Sequence, residues 1–178
     1  MPMLSSHPDT SAKSVRGIEA WIISLDANWL RLRWRIDGSR GVQFPPFAGK
    51  GRADGLWQHT CFELFVMREG LDGYLEFNFS PSQRWAAYAF AGYRAEMTEY
   101  PLPQDPACTL RIGAEFAIFD VAVPAQGLPP APWRYGLSAV IEETGGTKSY
   151  WALAHSSGAP DFHHPACFAA TLPAPEAI

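Results

Sequence analysis

TCFELFVMREGLDGYLEFNFS, residues 60–80, decides how this chain is read. Two alternating runs flank a loop, Arg68 to Gly73. Closed as a hairpin with Met67 opposite Tyr74, the runs bring Phe62 against Phe79, Leu64 against Phe77 and Val66 against Leu75. That is an unbroken apolar row. A slip of one residue would mix the two faces, so the pattern itself fixes the register. The opposite face then carries Glu63 across from Asn78 and Phe65 across from Glu76.

An acid in the middle of an apolar strand has two readings. Glu63 is neutralised by a structural partner on an ordinary outer face, or it faces a concave surface that receives a ligand. Two carboxyls, an amide and the Ser80 hydroxyl among Phe65, Tyr74 and Met67 suit hydrogen bonding to a polyhydroxylated ligand. The preceding stretch RADGLWQH, 52–59, adds Arg52, Asp54, Trp57, Gln58 and His59. An indole beside polar forks can stack on the CH face of a sugar ring while its neighbours reach the hydroxyls. In the following run, RWAAYAFAGY (84–93), Trp85 and Tyr88 are three residues apart. A regular strand puts them on opposite faces; a bulge would be needed to join them, or one of them is core.

Further runs extend the pattern in both directions. SVRGIEAWIISL (14–25) and WLRLRWRID (29–37) flank Asp26-Ala27-Asn28 as a second hairpin. CTLRIG (108–113), FAIFDVAVP (116–124), YGLSAVIEE (135–143) and KSYWALAH (148–155) follow, separated by Pro- and Gly-rich connections. The segment 42–55 reads as a long loop, the stretch after His155 as loop with a short edge strand, and no run has helical period and length. About nine or more short strands predict an all-β fold, an antiparallel β-sandwich of immunoglobulin-like or jelly-roll layout. The length of 178 residues fits one domain at 15–172, with flexible tails at 1–14 and 173–178.

Composition narrows the function classes. A net charge of −4 with no Lys/Arg run argues against nucleic acid as a partner. Arg31, Arg33 and Arg35 alternate with apolar residues and read as the solvent face of a strand. No apolar run approaches a membrane span, and residues 1–14 lack the core of a secretion signal, so a cytoplasmic location is expected. The three cysteines, Cys61, Cys108 and Cys167, are expected as reduced, buried thiols. His155, Asp161, His163 and His164 cluster in HSSGAPDFHHPACF, 155–168, without zinc spacing, and adjacent histidines on a strand point apart. Hydrogen bonds to loop backbone, or a loop folded over the ligand face, account for them without a metal. No nucleophile elbow, metalloprotease or phosphate-loop motif occurs. Glu63 and Glu76 are the one pair that glycosidase chemistry could use.

RADGLWQHTCFELFV (52–66), YLEFNFSPSQRWAAYAFAGYR (74–94) and SYWALAHSSGAPDFHHPACF (149–168) together resemble the bacterial DOMON-like group, related to family-nine carbohydrate-binding modules. The resemblance spans roughly residues 15 to 172. It implies a β-sandwich that binds a small ligand, a sugar or haem. Trp57, Glu63, Glu76 and Asn78 occupy the matching motif, with Trp85, Tyr88 and Trp151 competing to supply a second aromatic. The haem-binding relatives imply Met67 and His155 as axial ligands. The expected function is therefore a non-catalytic carbohydrate-binding module with Arg52, Trp57, Glu63, Glu76 and Asn78 contacting ligand, no resident cofactor, and oligomeric state open.

Overall fold

The computed structural model describes residues 1–174. Of the tail expected at 173–178, residues 175–178 lie outside the described residues. The strands are β1 (Met3–Ser6), β2 (Gly17–Leu25), β3 (Trp29–Asp37), β4 (Gly51–Arg52), β5 (Cys61–Arg68), β6 (Tyr74–Phe79), β7 (Arg84–Phe90), β8 (Thr98–Glu99), β9 (Ala107–Ile112), β10 (Phe116–Pro124), β11 (Trp133–Glu143), β12 (Thr147–Ala152) and β13 (Ala170–Leu172). Short 3-10 turns are the only helical elements among the described residues. The nine runs read from the sequence all form strands. The additional β1, β4 and β8 are two to four residues long, too short to leave a periodic trace.

The protein is all-β and mostly antiparallel. Its strands form one continuous path, β4-β7-β6-β5-β11-β12-β1-β2-β3-β10-β9, with β13 beside β11 and β8 beside β7. Only the two-residue pairing of β4 with β7 is parallel. The path curls on itself, because side chains from distant strands meet. The Phe62 ring of β5 stacks on Phe119 of β10 at 4.5 Å and lies 5.5 Å from Trp34 of β3. Hydrogen bonding thus runs through a single curled sheet where two separate sheets were expected.

The join between the two arms is β1. It pairs with β2 on one side (Leu4 with Ile18) and β12 on the other (Ser6 with Trp151). Residues 3–6 thus form a strand where a loose tail is expected; four residues are too few for alternation to announce it. Glu143 anchors the next segment. Its carboxylate accepts N–H bonds from Lys13 at 2.7 Å, Ser14 at 2.6 Å and Val15 at 3.2 Å, as well as the Ser14 hydroxyl.

Strand β3 shows how alternation sorts the chain. Leu30, Leu32, Trp34 and Ile36 are buried, while the arginines between them face outward and pair with acids. Arg33 binds Asp120 through two hydrogen bonds of 2.6 and 2.8 Å, and Arg35 lies 3.2 Å from Glu19. The arginine stripe is therefore an ion-pair ladder on the outer face. Cys61, Cys108 and Cys167 are free and buried.

The β5–β6 hairpin adopts the register that its alternation dictates, Phe62 with Phe79 through Met67 with Tyr74. Its second face is not open to solvent, since the first seven residues of β5 are all buried. Part of that face is a second, smaller core in which Phe65, Met67, Tyr74 and Phe90 pack under Phe162, Cys167 and Phe168 from the loop before β13. Gly136 on β11 makes this possible. A Cβ there would lie 2.8 Å from the Cys167 carbonyl oxygen, so only glycine lets the loop lie on the sheet.

Candidate functional site

Cross-strand pairing builds the face opposite the main core in rows. Ala152, Ser138, Glu63, Asn78 and Ala86 form one row across β12, β11, β5, β6 and β7. The neighbouring row is Gly136, Phe65, Glu76 and Tyr88; the row on the other side is Tyr150, Val140 and Cys61. Where the loop before β13 does not cover this face, the sheet opens into a cleft of about 1140 Å³. Glu63 and Glu76 lie in its floor, with Tyr88, Val140 and Tyr150 beside them. Its rim is made by Asp54–Trp57, by the turn carrying Arg94 and Met97, and by Pro160–His163.

Both floor acids are buried, Glu63 to 3% exposure and Glu76 to 6%. The Ser138 hydroxyl donates to Glu63 Oε2 at 3.1 Å. Burial, reinforced by the charge of Glu76, pushes the Glu63 carboxyl up to about 8. Asn78 Nδ2 donates to Glu76 Oε1 at 2.8 Å, and burial raises this carboxyl too, against the opposing pull of that bond and of Arg94. Desolvation dominates at both acids because no cation sits close enough to offset it.

The nearest basic group does not supply that cation. His163 Nε2 is 3.7 Å from Glu76 Oε2, beyond hydrogen-bond reach, and burial together with Arg94 pulls the imidazole down to about 4. The ring is neutral near pH 7. Its Nδ1 lies 2.9 Å from the Tyr74 hydroxyl, which accepts the Arg94 N–H at 3.1 Å. The Tyr74 hydroxyl thus links the His163 ring to the backbone of the turn that carries Arg94. The Arg94 guanidinium is occupied by Asp161 at 2.7 Å, and the Tyr93 hydroxyl donates to the same carboxylate. Asp161 thereby staples the 92–94 turn to the loop that roofs the site.

The sequence-derived candidates separate into three groups. Trp57, Glu63, Glu76 and Tyr88 line the cleft. Asn78 and Arg52 support it from behind. Asn78 is 1% exposed and holds Glu76, while Arg52 donates to the Ala87 carbonyl at 2.7 Å with its guanidinium carbon 5.2 Å from the Tyr88 ring. Trp85 and Trp151 belong to the main core. Strand β7 runs from Arg84 to Phe90 without a bulge, so Trp85, opposite core Phe79, points away from Tyr88; its indole N–H reaches Asp105 at 3.0 Å. Trp151 pairs with Ala139, itself opposite core Phe62, and donates to Ser149 at 2.9 Å.

Sequence reasoning missed Tyr150, Phe162, Arg94 and Met97 at the cleft. Tyr150 was legible in principle, because alternation puts it opposite in sense to its neighbour Trp151. Arg94 was not, since it sits in a turn at φ 52 that no pattern marks. The histidine-rich loop does fold over this face, with Phe162 and His163 lining the cleft. His155 Nε2 bonds the Ser5 carbonyl at 2.8 Å, and His164 Nδ1 accepts the Ala166 N–H at 3.2 Å. Met67 borders a separate depression of about 590 Å³ beside residues 68–72, and His155 borders neither hollow, so the two residues implied as haem ligands do not converge on the cleft.

No protein-family model matches the chain, and no curated protein matches it. A solved structure of a candidate carbohydrate-binding protein from Bacteroides uniformis superposes with a TM-score of 0.68 at 15% identity, covering 93% of this chain and 82% of that one. A family 9 carbohydrate-binding module from Caldicellulosiruptor kristjanssonii superposes less well. Its glucose complex gives a TM-score of 0.49 at 8% identity over 87% of this chain and 76% of the other. Its cellotriose complex gives 0.48 at 9% identity over 88% and 75%. The likeness to the Bacteroides protein shows a shared fold.

Proposed function

We propose that the cleft binds a carbohydrate without transforming it. The observation that carries this reading is the convergence of two buried carboxyls, Glu63 and Glu76, and the half-exposed Trp57 on one 1140 Å³ hollow. Carboxyls on adjoining strands offer fixed, directional partners to vicinal hydroxyls. Trp57, Tyr88 and Tyr150 offer flat apolar faces for the CH side of a sugar ring. The hollow is large enough for more than one sugar unit. The fold shared with a candidate carbohydrate-binding protein supports the reading. The jelly-roll layout and the kinship with DOMON-like domains belong to the same proposal. They are supported by the common core between the two arms of the curled sheet and by the motif containing Trp57, Glu63, Glu76 and Asn78.

The test is isothermal calorimetry against glucose, cellotriose and other oligosaccharides. Binding is expected in the wild type and at least about tenfold weaker in Trp57→Ala. Because Trp57 is 54% exposed, that substitution is expected to leave the melting temperature nearly unchanged. Failure of every sugar to bind, or unfolding of the Trp57 variant, removes the reading. The paired acids also admit a glycoside-processing role, and a panel of chromogenic glycosides decides it: release of chromophore that Glu63→Gln abolishes would replace binding with catalysis.

A further inference from the structure

Among the described residues, the floor of the cleft holds two acids and no cation, so burial keeps Glu63 protonated near neutral pH, and a positive charge seated beside both acids would let them ionise together. Ionised groups taken out of water are stable only when paired and fully hydrogen-bonded. Glu63 and Glu76 are each more than nine-tenths buried, yet among the described residues neither pairs with a Lys or Arg. Glu63 has a hydrogen bond at Oε2 alone, from Ser138. Glu76 has one at Oε1 alone, from Asn78, with His163 at 3.7 Å from its other oxygen. Each carboxyl thus keeps an oxygen unpartnered within the cleft it lines. Arg94, the one guanidinium at the rim, is committed to Asp161.

We propose that the ligand itself brings the missing cation: a primary ammonium seated between Glu63 and Glu76, which makes a sugar with a free amine the class of ligand this cleft takes. Three donors on one nitrogen match two open carboxylate oxygens and the face of a nearby ring. Tyr88, next to Glu76 across the strands, and Tyr150, next to Val140, give that ring contact. An acetylated amine or a hydroxyl at the same position satisfies the hydrogen bonds without balancing the charge. The inference rests on the carbohydrate reading for the sugar scaffold, and on the unpaired acids for the amine.

Calorimetry at pH 7.5 with three β-1,4-linked trisaccharides separates the two: the glucosamine trimer with free amines, its N-acetylated form, and cellotriose. The free-amine trimer is expected to bind at least about tenfold more tightly than the others. In Glu63→Gln and in Glu76→Gln the free-amine trimer is expected to lose more affinity than cellotriose loses, bringing the preference to within about twofold. 1,5-Diaminopentane serves as the amine without a sugar. Equal or tighter binding of cellotriose or of the acetylated trimer overturns the amine and leaves the carbohydrate reading intact. A preference for the free-amine trimer that survives both substitutions also overturns it. Binding of the diamine alone, lost on Glu63→Gln, upholds the amine and removes the sugar. No binding by any of the four overturns both.

Discussion

Glu63 and Glu143 are buried carboxyls with opposite electrostatics, and the difference lies in what each side chain touches. At Glu143, burial alone would raise the carboxyl, but the Ser14 hydroxyl and the N–H groups of Lys13, Ser14 and Val15 outweigh it and hold the group below its ordinary value of 4.5. At Glu63 a single serine hydroxyl does not offset burial, and the group rises to about 8. Linkage turns this into two limbs of a stability profile. The Glu143 contribution is present above pH 4.5 and is lost as pH falls through the lowered folded-state value. The Glu63 contribution is full below pH 4.5 and is lost as pH rises through about 8. The raised Glu76 adds to the second limb. Thermal unfolding is therefore expected to show a maximum in mildly acid buffer. From there to pH 8 the wild type should lose on the order of 2–4 kcal/mol. Glu63→Gln should flatten most of that decline and melt higher than the wild type at pH 8. A wild-type melting temperature that climbs between pH 5 and 8 would sink this account of Glu63.

At the scale of elements, one hairpin serves both the core and the cleft. Its inner row, from Phe62 to Leu75, closes on Trp34 and Phe119 of the opposite arm. Its outer row carries the acids and, further along, the aromatic residues beneath the loop before β13. Gly136 is the point where that loop touches the sheet. Gly136→Ala would force a methyl group to 2.8 Å from the Cys167 carbonyl oxygen, too close to hold, and to 3.3 Å from the Phe168 ring, a tight contact. Overpacking of this kind costs about 1–3 kcal/mol, and the loop is the part able to move. The expected result is faster labelling of Cys167, 3% exposed in the native protein, by a thiol reagent under native conditions. Cys61, 0% exposed at the start of β5, should stay protected, and sugar affinity should fall because Phe162 and His163 move with the loop. Unchanged Cys167 labelling would show that the loop does not depend on this contact.

For the whole molecule, the smallest strand has the widest reach. β1 is hydrogen-bonded to β2 and to β12 and so joins the arm holding the arginine ladder to the arm holding the cleft. Deleting residues 1–6 removes both pairings and the buried Leu4 side chain, and leaves two strand edges unpaired. The expected loss is roughly 2–4 kcal/mol in denaturant unfolding, with the cooperative slope retained. A variant of unchanged stability would mean that the core contacts between the arms, Phe62 with Phe119 and Trp34, suffice without the joining strand.

The sequence by itself determined the nine longer strands, their faces and the register of the central hairpin. These depend on a period of two and on neighbours within a few residues, which are written directly into the order of side chains. The same local logic gave the arginines to solvent and placed Glu63 and Glu76 on the face away from Phe62. It also put Trp85 and Tyr88 on opposite faces, though it did not say which of them met the site. Only the tertiary structure decided that Trp85 and Trp151 are core, that Arg52 stands behind Tyr88 rather than in the cleft, and that β1 joins two arms of a single curled sheet. It alone brought Arg94, Tyr150 and Phe162 to a cleft whose acids have, among the described residues, no Lys or Arg partner. Such facts depend on segments tens of residues apart meeting in space, and alternation carries no information about which distant segment covers a face. The physical reason is the range of the interactions: side-chain period acts over a few residues, whereas desolvation and closure are set by whatever the rest of the chain brings near.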